Sequence, residues 1–316
     1  MSPDDAPNTV VDGSAVELVD AIDDDLPLDL DETTQTRSVD RSAMLHENSE
    51  GFGHKSRKLT TGAGVLDPFL RVEEFWIEEA AVAPTPHAGT MLLNYVFEDS
   101  ETGLMIRDSI GGEHPIPPGA MFVISTGSGI MVEQTPEHYG RSCHGVTVTI
   151  NLACADKDGA PTKVGVPTKA VRELVRGALM RVRVLAGSSN GLTSTFIPGT
   201  PFTLVEAHLS PGASLRHELP RDHTAFAVVL RGRALVGTSD APRSVRAGVA
   251  VSLFDDGDSV LVRAADEKCH VLVGSGKPLA ETVFTEAGFV MNHPQELADA
   301  QARFDSGAMG TLLPRE

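Results

Sequence analysis

The side chains that could carry out covalent or acid–base chemistry in this sequence are a few cysteines, histidines and one serine. Cys143 precedes His144, a pairing that could activate a thiolate if the two side chains met. Neighbouring side chains of an extended strand point to opposite faces, so we interpret Cys143 as a small buried apolar residue. Ser128 lies between two glycines without the spacing of a nucleophile elbow. Neither residue therefore predicts a nucleophile.

Three histidines of the second half, His208, His217 and His223, follow one another at intervals of nine and six residues. Imidazoles are common metal ligands. His217 lies in a turn-like stretch, however, and we interpret the three as unrelated residues. The cysteines are odd in number and form no CxxC pair, which indicates neither a disulfide framework nor a thiolate zinc site. A reducing, cytoplasmic location is the simplest expectation.

The net charge of −18 is concentrated at the N-terminus. Residues 1–50 contain 14 acidic and 2 basic residues, which leaves a net charge of only −6 for the rest. Such a segment buries too little apolar surface to offset chain ordering, so we predict a disordered acidic tail over residues 1–54. The tail could simply be solubilising, or the aliphatic residues within 15–31 could bind a protein partner. Nucleic-acid binding is disfavoured because it requires clustered basic residues, and no apolar run is long enough to span a membrane.

The sequence between residues 55 and 290 predicts a series of short β-strands. Apolar runs such as 91–97, 121–124, 146–150 and 225–230 alternate with turns rich in Gly, Pro and Asp. The segment 116–124 resembles 245–253, a turn with one glycine followed by a strand. The sequence therefore predicts an all-β protein of two tandem barrels.

Two stretches outside this pattern predict helices, 169–177 between the barrels and 294–304 after Asn292 as a plausible N-cap. The predicted domains are the tail, an N-terminal barrel over 55–175, and a C-terminal barrel with the last helix over 176–316.

Several separated segments resemble the pirin family in the correct order. They are 62–75, the His87-Ala88-Gly89 turn, 127–131, His144-Gly145 with 150–152, 276–279, 288–292 and 305–307. The similarity covers about residues 60–310. It implies a bicupin, which is two antiparallel jelly-roll barrels with a metal, usually iron, in the N-terminal one. Some pirins are quercetin 2,3-dioxygenases, and others are regulators that bind transcription or metabolic proteins.

The metal site implied by the resemblance is degenerate in this chain. Pirins supply a His-x-His pair and a His-x-Glu pair, and the corresponding positions here are Thr85 with His87 and Val132 with Gln134. Valine has no donor atom, and amides bind transition metals weakly. An acidic residue of the family is replaced by Met91. We therefore expect no metal and no cofactor.

A shifted register could restore a site from His87, Glu133 and His144. Glu133 lies between two positions that face the cavity, so period-two alternation turns it away unless a bulge intervenes.

Three functions remain open. The first is a metal-free pirin-like regulator or interaction protein that binds a small apolar molecule in the N-terminal barrel. The cavity lining predicted for it is Thr85, His87, Met91, Val132, Gln134 and Thr149. The second is a metal-independent cyclase, isomerase or dehydratase with His87 as acid or base and Gln134 or Thr85 polarising a carbonyl. The third is a metal-dependent dioxygenase of the quercetinase type.

Overall fold

The structure, a computed structural model, describes residues 8–10, 34–50, 53–60, 66–79 and 84–313. Its strands up to residue 166 are β1 (Asn8–Val10), β2 (Val39–Met44), β3 (His46–Glu50), β4 (His54–Thr60), β5 (Phe69–Ile77), β6 (Thr85–His87), β7 (Thr90–Val96), β8 (Leu104–Asp108), β9 (Glu113–Ile116), β10 (Met121–Ser125), β11 (Ile130–Pro136), β12 (Cys143–Asn151) and β13 (Thr162–Val166). A short 3-10 helix, Cys154–Asp156, separates the last two.

A second 3-10 helix, Thr168–Ala170, precedes the remaining elements. These are β14 (Arg172–Arg176), β15 (Met180–Ala186), β16 (Ser188–Ser189), β17 (Leu192–Thr193), β18 (Phe202–Leu209), β19 (Ser214–Glu218), β20 (Thr224–Arg231), β21 (Arg233–Val236), β22 (Arg243–Arg246), β23 (Val249–Leu253), β24 (Ser259–Ala264), β25 (Cys269–Gly276), β26 (Phe284–Glu286), β27 (Phe289–Met291) and the helix α1 (Pro294–Asp305).

Two compact units carry these elements, one built on His46–Thr168 with the chain from Leu279 onward, and one on Lys169–Pro278 with the strand before Leu45. In the first unit, an eight-stranded sheet has the order β1-β13-β10-β7-β12-β5-β4-β3, and a four-stranded sheet has the order β6-β11-β8-β9. The second unit has a seven-stranded sheet, β14-β15-β18-β25-β20-β23-β2, and a four-stranded sheet, β19-β24-β21-β22. Apart from β1, which pairs parallel to β13, every strand pair of these four sheets is antiparallel. The predicted all-β bicupin is confirmed.

Alternating side chains build each core. In the first unit, Phe75, Leu92, Ile130 and Val132 belong to one buried cluster. The second unit has a larger cluster of mainly Val, Leu and Ala side chains from ten of its strands. Because side chains of a strand alternate between faces, the residues next to these core positions point away from the barrel interior.

Two predicted domain boundaries differ from the structure. The disordered tail was expected to reach residue 54, but residues 39–50 form β2 and β3, and Arg37 is fully buried. Residues 1–7 and 11–33, including the partner segment 15–31, lie outside the described residues. The C-terminal segment with α1 belongs to the first unit, so residues 176–316 are not one domain.

The helix predicted over 169–177 is instead one 3-10 turn followed by β14, because β14 pairs with β15 along its whole length. The C-terminal helix is confirmed over Pro294–Asp305, with His293 rather than Asn292 as its N-cap. Among the described residues, α1 is the only α-helix and is far too short to cross a membrane.

Candidate functional site

The candidate site begins where β6 pairs antiparallel with β11. Thr85 faces Val132 and His87 faces Ile130 across this pair. Ile130 and Val132 belong to the buried core of the unit. Every second residue of a strand shares a face, so Gln134 joins the inward set.

A cavity of about 330 Å³ opens inside this barrel. It is lined by His54, Lys58, Arg71, Glu73, Phe75, Thr85, Pro86, His87, Leu92, Val132, Gln134, Thr147, Ala287 and Gly288. A second cavity of about 260 Å³ shares Arg71, His87 and Gly288 with the first, and its other lining residues are Thr60, Leu70, Thr90, Thr149, Val283, Thr285 and Val290. The first volume is within the range typical of small-molecule sites.

Not all of the six residues predicted to line the cavity line the same one. Thr85, His87, Val132 and Gln134 line the main cavity, and Thr149 lines the second one. Met91 lines neither cavity. Its neighbour Leu92 faces the main cavity, and adjacent strand residues point to opposite faces.

A polar network fixes the Gln134 side chain. Its Nε2 donates to Oδ1 of Asn94 at 2.8 Å, and the Thr147 hydroxyl donates to the same oxygen at 2.9 Å. Asn94 is fully buried, and its Nδ2 donates to the carbonyl of Phe122 at 3.3 Å. The amide of Gln134 is therefore oriented by the protein itself. Sequence reasoning missed Asn94, although an asparagine inside an apolar run was a signal of a buried polar role.

His87 is held by a neighbour on its own strand. Its Nε2 lies 3.0 Å from the hydroxyl oxygen of Thr85. Burial, with a smaller contribution from the Arg71 guanidinium, lowers the pKa of His87 to about 4. The imidazole is therefore neutral at physiological pH.

Charged residues from β4 and β5 form another wall of the cavity. Lys58 Nζ lies 3.0 Å from Glu73 Oε1, and Arg71 Nε lies 3.6 Å from Glu73 Oε2. Two cations thus face one anion beside a neutral imidazole. Sequence reasoning missed these residues, although Arg71, Glu73 and Phe75 repeat at the two-residue spacing of one strand face.

A hairpin tip supplies the remaining wall. The turn between β26 and β27 consists of Ala287 and Gly288, both with positive φ, at 47° and 93°. Two positive φ angles fit the tight turn that joins antiparallel strands. A Cβ added to Gly288 would lie 2.3 Å from the carbonyl oxygen of Pro86. Glycine therefore lets the hairpin approach β6 closely enough to enclose the cavity.

Glu133 faces away from the cavity, as period-two alternation predicted. Its carboxylate is buried and forms an ion pair with Arg107. The chain continues through this point without a register shift in its pairing with β8. Glu133 therefore does not join His87.

His144 also faces away from the cavity. Its ring stacks on Trp76, with centroids 4.6 Å apart, and its Nε2 lies 3.0 Å from Glu74 Oε1. Thr147, three residues later, faces the cavity from the same strand. The alternative metal site of His87, Glu133 and His144 is therefore not assembled.

The three histidines singled out in the second half do not form a cluster. His217 is buried, with Nδ1 2.9 Å from Ser189 Oγ and Nε2 2.8 Å from Ser275 Oγ. His208 instead contacts Glu206 and His270. The backbone carbonyl of His223 accepts a hydrogen bond from Arg37.

Comparison with known proteins gives a consistent result. Residues 204–310 match the family described as the Pirin C-terminal cupin domain. The chain is 26% identical to human pirin over 279 residues, covering 87% of this chain and 94% of that protein. It is 28% identical to a pirin-like protein of Solanum lycopersicum over 286 residues, covering 90% and 96%.

These matches support a pirin-family cupin. A crystal structure of quercetin 2,3-dioxygenase from Acinetobacter baumannii matches this chain with a TM-score of 0.78 at 21% identity, covering 88% of this chain and all of the other. That likeness shows a shared fold.

In this chain, the residues that correspond to the pirin metal positions do not suit a transition metal. Of the four, His87 alone has an imidazole, and its Nε2 is engaged by Thr85. Val132 has no donor, and Gln134 directs its amide nitrogen at Asn94. A stable iron site needs several imidazole or carboxylate ligands aimed at one point.

Proposed function

We propose that the N-terminal barrel of this protein binds a small molecule without a metal, and that the protein acts as a regulator or interaction protein. The observation that carries the proposal is the cavity itself. The cavity is accessible, while the polar side chains at the family's ligand positions, Thr85, His87 and Gln134, bond to one another or to Asn94.

The lining indicates what kind of molecule fits. Phe75, Leu92 and Val132 provide an apolar surface. Lys58 and Arg71 outnumber Glu73, so the charged wall favours an acidic group. The hydroxyl oxygen of Thr149 is buried and has no hydrogen-bond partner among the described residues, so a ligand could supply one. We therefore propose a ligand with an apolar or aromatic body and an anionic group.

Paired probes test this proposal. Naphthalene-2-carboxylate and the uncharged naphthalene-2-carboxamide differ only at the acidic group, and isothermal titration calorimetry compares their binding to the full-length protein. We expect the carboxylate to bind at least about tenfold more tightly, because a charge-assisted contact contributes about 1.5–3 kcal/mol.

Three variants complete the experiment. Arg71→Gln should remove the preference for the carboxylate, and Val132→Phe should weaken both probes by filling the cavity. Arg263→Gln is the matched control, since this exposed arginine lies on β24 of the other unit. Equal binding of both probes, or an unchanged preference in Arg71→Gln, would argue against the proposal.

A second candidate, a metal-independent enzyme, is favoured by the neutral state of His87. A neutral imidazole can accept a proton, so the geometry suits a general base better than a general acid. Thr85 would hold the ring in place. On any substrate found for this cavity, His87→Ala should lower kcat by roughly 100-fold or more, and retention of full activity would remove this candidate.

The proposal also includes a protein partner and a cellular location. A protein partner for residues 15–31 and a cytoplasmic location both stay proposals. The three cysteines are unpaired, which is consistent with a reducing compartment.

A further inference from the structure

A cluster of three metal-binding side chains lies in the second unit. Glu206 and His208 are two residues apart on β18, and His270 on β25 is paired directly with His208. The alternate residues of these strands, such as Ala207 and Val271, belong to the buried core. The cluster therefore lies on the outer face of the sheet, whereas cupin metals bind inside a barrel.

The three side chains already converge. Glu206 Oε1 lies 2.9 Å from His270 Nε2 and 3.2 Å from His208 Nε2. The two rings stack with centroids 4.0 Å apart. The ligand atoms of all three lie within 4.8 Å of one another, and no other group of three or more His, Cys, Asp or Glu residues meets this condition in the described part of the chain.

We propose that Glu206, His208 and His270 bind one Zn²⁺ ion. Two imidazole nitrogens and one carboxylate oxygen form a set that zinc accepts, with a fourth position left open. In the metal-free arrangement one carboxylate oxygen is shared by two N–H donors. When the ion binds, each neutral imidazole loses its Nε2 proton to solvent and takes up one on Nδ1, so Nε2 can bind the ion and no net proton is released.

The burial of two of the three side chains holds them in place before an ion binds. Glu206 and His270 are each 2% exposed, so packing restricts their rotamers, while 44% of the His208 side chain is exposed. An ion can thus enter from the His208 side. Few side chains need to be reordered on binding, which reduces the entropic cost.

The residues around the exposed His208 side of the cluster indicate what kind of fourth ligand would complete the coordination. His208 and His270 line a shallow cavity of about 310 Å³ together with Arg181, Arg231 and Lys268. Arg181 contacts Glu173, with Nη2 2.8 Å from the carboxylate. This basic surrounding opposes a bare cation, so we expect water or an anion to complete the coordination.

Zinc titration of the full-length protein tests the site. Protein treated with a chelator and dialysed is titrated with Zn²⁺ by calorimetry, and thermal unfolding is followed with and without Zn²⁺. We expect one equivalent to bind and to raise the unfolding temperature. His208→Ala changes a half-exposed side chain, so it should fold normally and weaken binding about 100-fold or more.

Three further variants separate this site from others. Glu206→Gln should lose binding as His208→Ala does. His223→Ala, a control in the same unit, and His87→Ala in the N-terminal barrel should bind zinc like the natural protein. The proposal is overturned if the natural protein binds no zinc, or if His208→Ala binds it with unchanged affinity and stoichiometry.

Discussion

Because burial and the nearby Arg71 lower the pKa of His87 to about 4, its imidazole stays uncharged over the physiological range. The residue at a family metal position thus becomes a neutral hydrogen-bonding group beside Thr85. A cavity with Lys58, Arg71 and a neutral His87 can accept an anionic group without binding a metal.

His217 makes the stability of the second unit depend on pH. Burial, with smaller contributions from His223 and Arg37, lowers the pKa of His217 to about 4. The unfolded chain therefore binds a proton that the folded protein does not. The contribution of His217 to stability should be constant above about pH 7 and should fall as the pH drops from about 6.5 to 4, by on the order of 3 kcal/mol.

Urea unfolding at several pH values measures this dependence. His217→Gln should flatten the slope between pH 6.5 and 4, although it lowers stability at pH 7 by disturbing the bonds to Ser189 and Ser275. His46→Gln, at an exposed position, should keep the natural slope. An unchanged slope in His217→Gln would show that other groups cause the acid sensitivity.

Among the secondary structure elements, the hairpin β26–β27 closes the cavity. Gly288→Ala should destabilise the first unit by about 1–3 kcal/mol, because its φ is 93° and the new Cβ would meet the Pro86 carbonyl. The hairpin must move away, so naphthalene-2-carboxylate should also bind more weakly.

Ala287→Gly is the matched control for this substitution. It changes the neighbouring turn residue, whose φ of 47° suits glycine, and should preserve binding. Natural affinity and stability in Gly288→Ala would mean that the hairpin does not shape the cavity.

The segment 34–45 is anchored in the second unit by Arg37. This buried guanidinium donates to the carbonyls of Gly257, His223, Pro220 and Arg221 at 2.7–3.1 Å. Its loss would leave several buried acceptors unpaired.

Arg37→Ala should therefore destabilise the second unit by about 3 kcal/mol or more in chemical unfolding. Arg41→Ala should lower the free energy of unfolding only slightly, because the Arg41 side chain is 74% exposed. A stability change in Arg37→Ala as small as that in Arg41→Ala would contradict this role. A deletion that tests partner binding by the tail should accordingly be limited to residues 11–33, because β1 pairs with β13 in the first unit.

The alternation of side chains along a strand predicted the directions of some site residues correctly, but it could not predict which residues of other strands join them. The opposite directions of Val132 and Glu133 follow from one strand, so the sequence was enough. Met91 was placed by analogy with a family residue, and the neighbouring Leu92 faces inward instead. Lys58, Arg71 and His270 become neighbours of their sites only through pairing between distant strands. No local sequence pattern predicts which distant strands pair with one another.

Over the whole molecule, the two units differ in what their polar clusters can bind. The N-terminal barrel has a cavity in which His87 and Gln134 bond to other side chains of the same barrel. The outer sheet face of the second unit has three ligands that converge. The composition of the chain could not reveal this division, because its histidines are spread over both units.

Metal analysis of the N-terminal barrel tests the central proposal. His208→Ala removes the second-unit zinc site, and this variant is purified from medium supplemented with iron, nickel and manganese. Thr85→His, Val132→His and Gln134→Glu, added together to the same protein, restore the family's ligand set as the positive control. We expect near-stoichiometric metal in that control and only trace metal in His208→Ala. Near-stoichiometric iron, nickel or manganese in His208→Ala, lost again when His87→Ala is added, would refute a metal-free barrel.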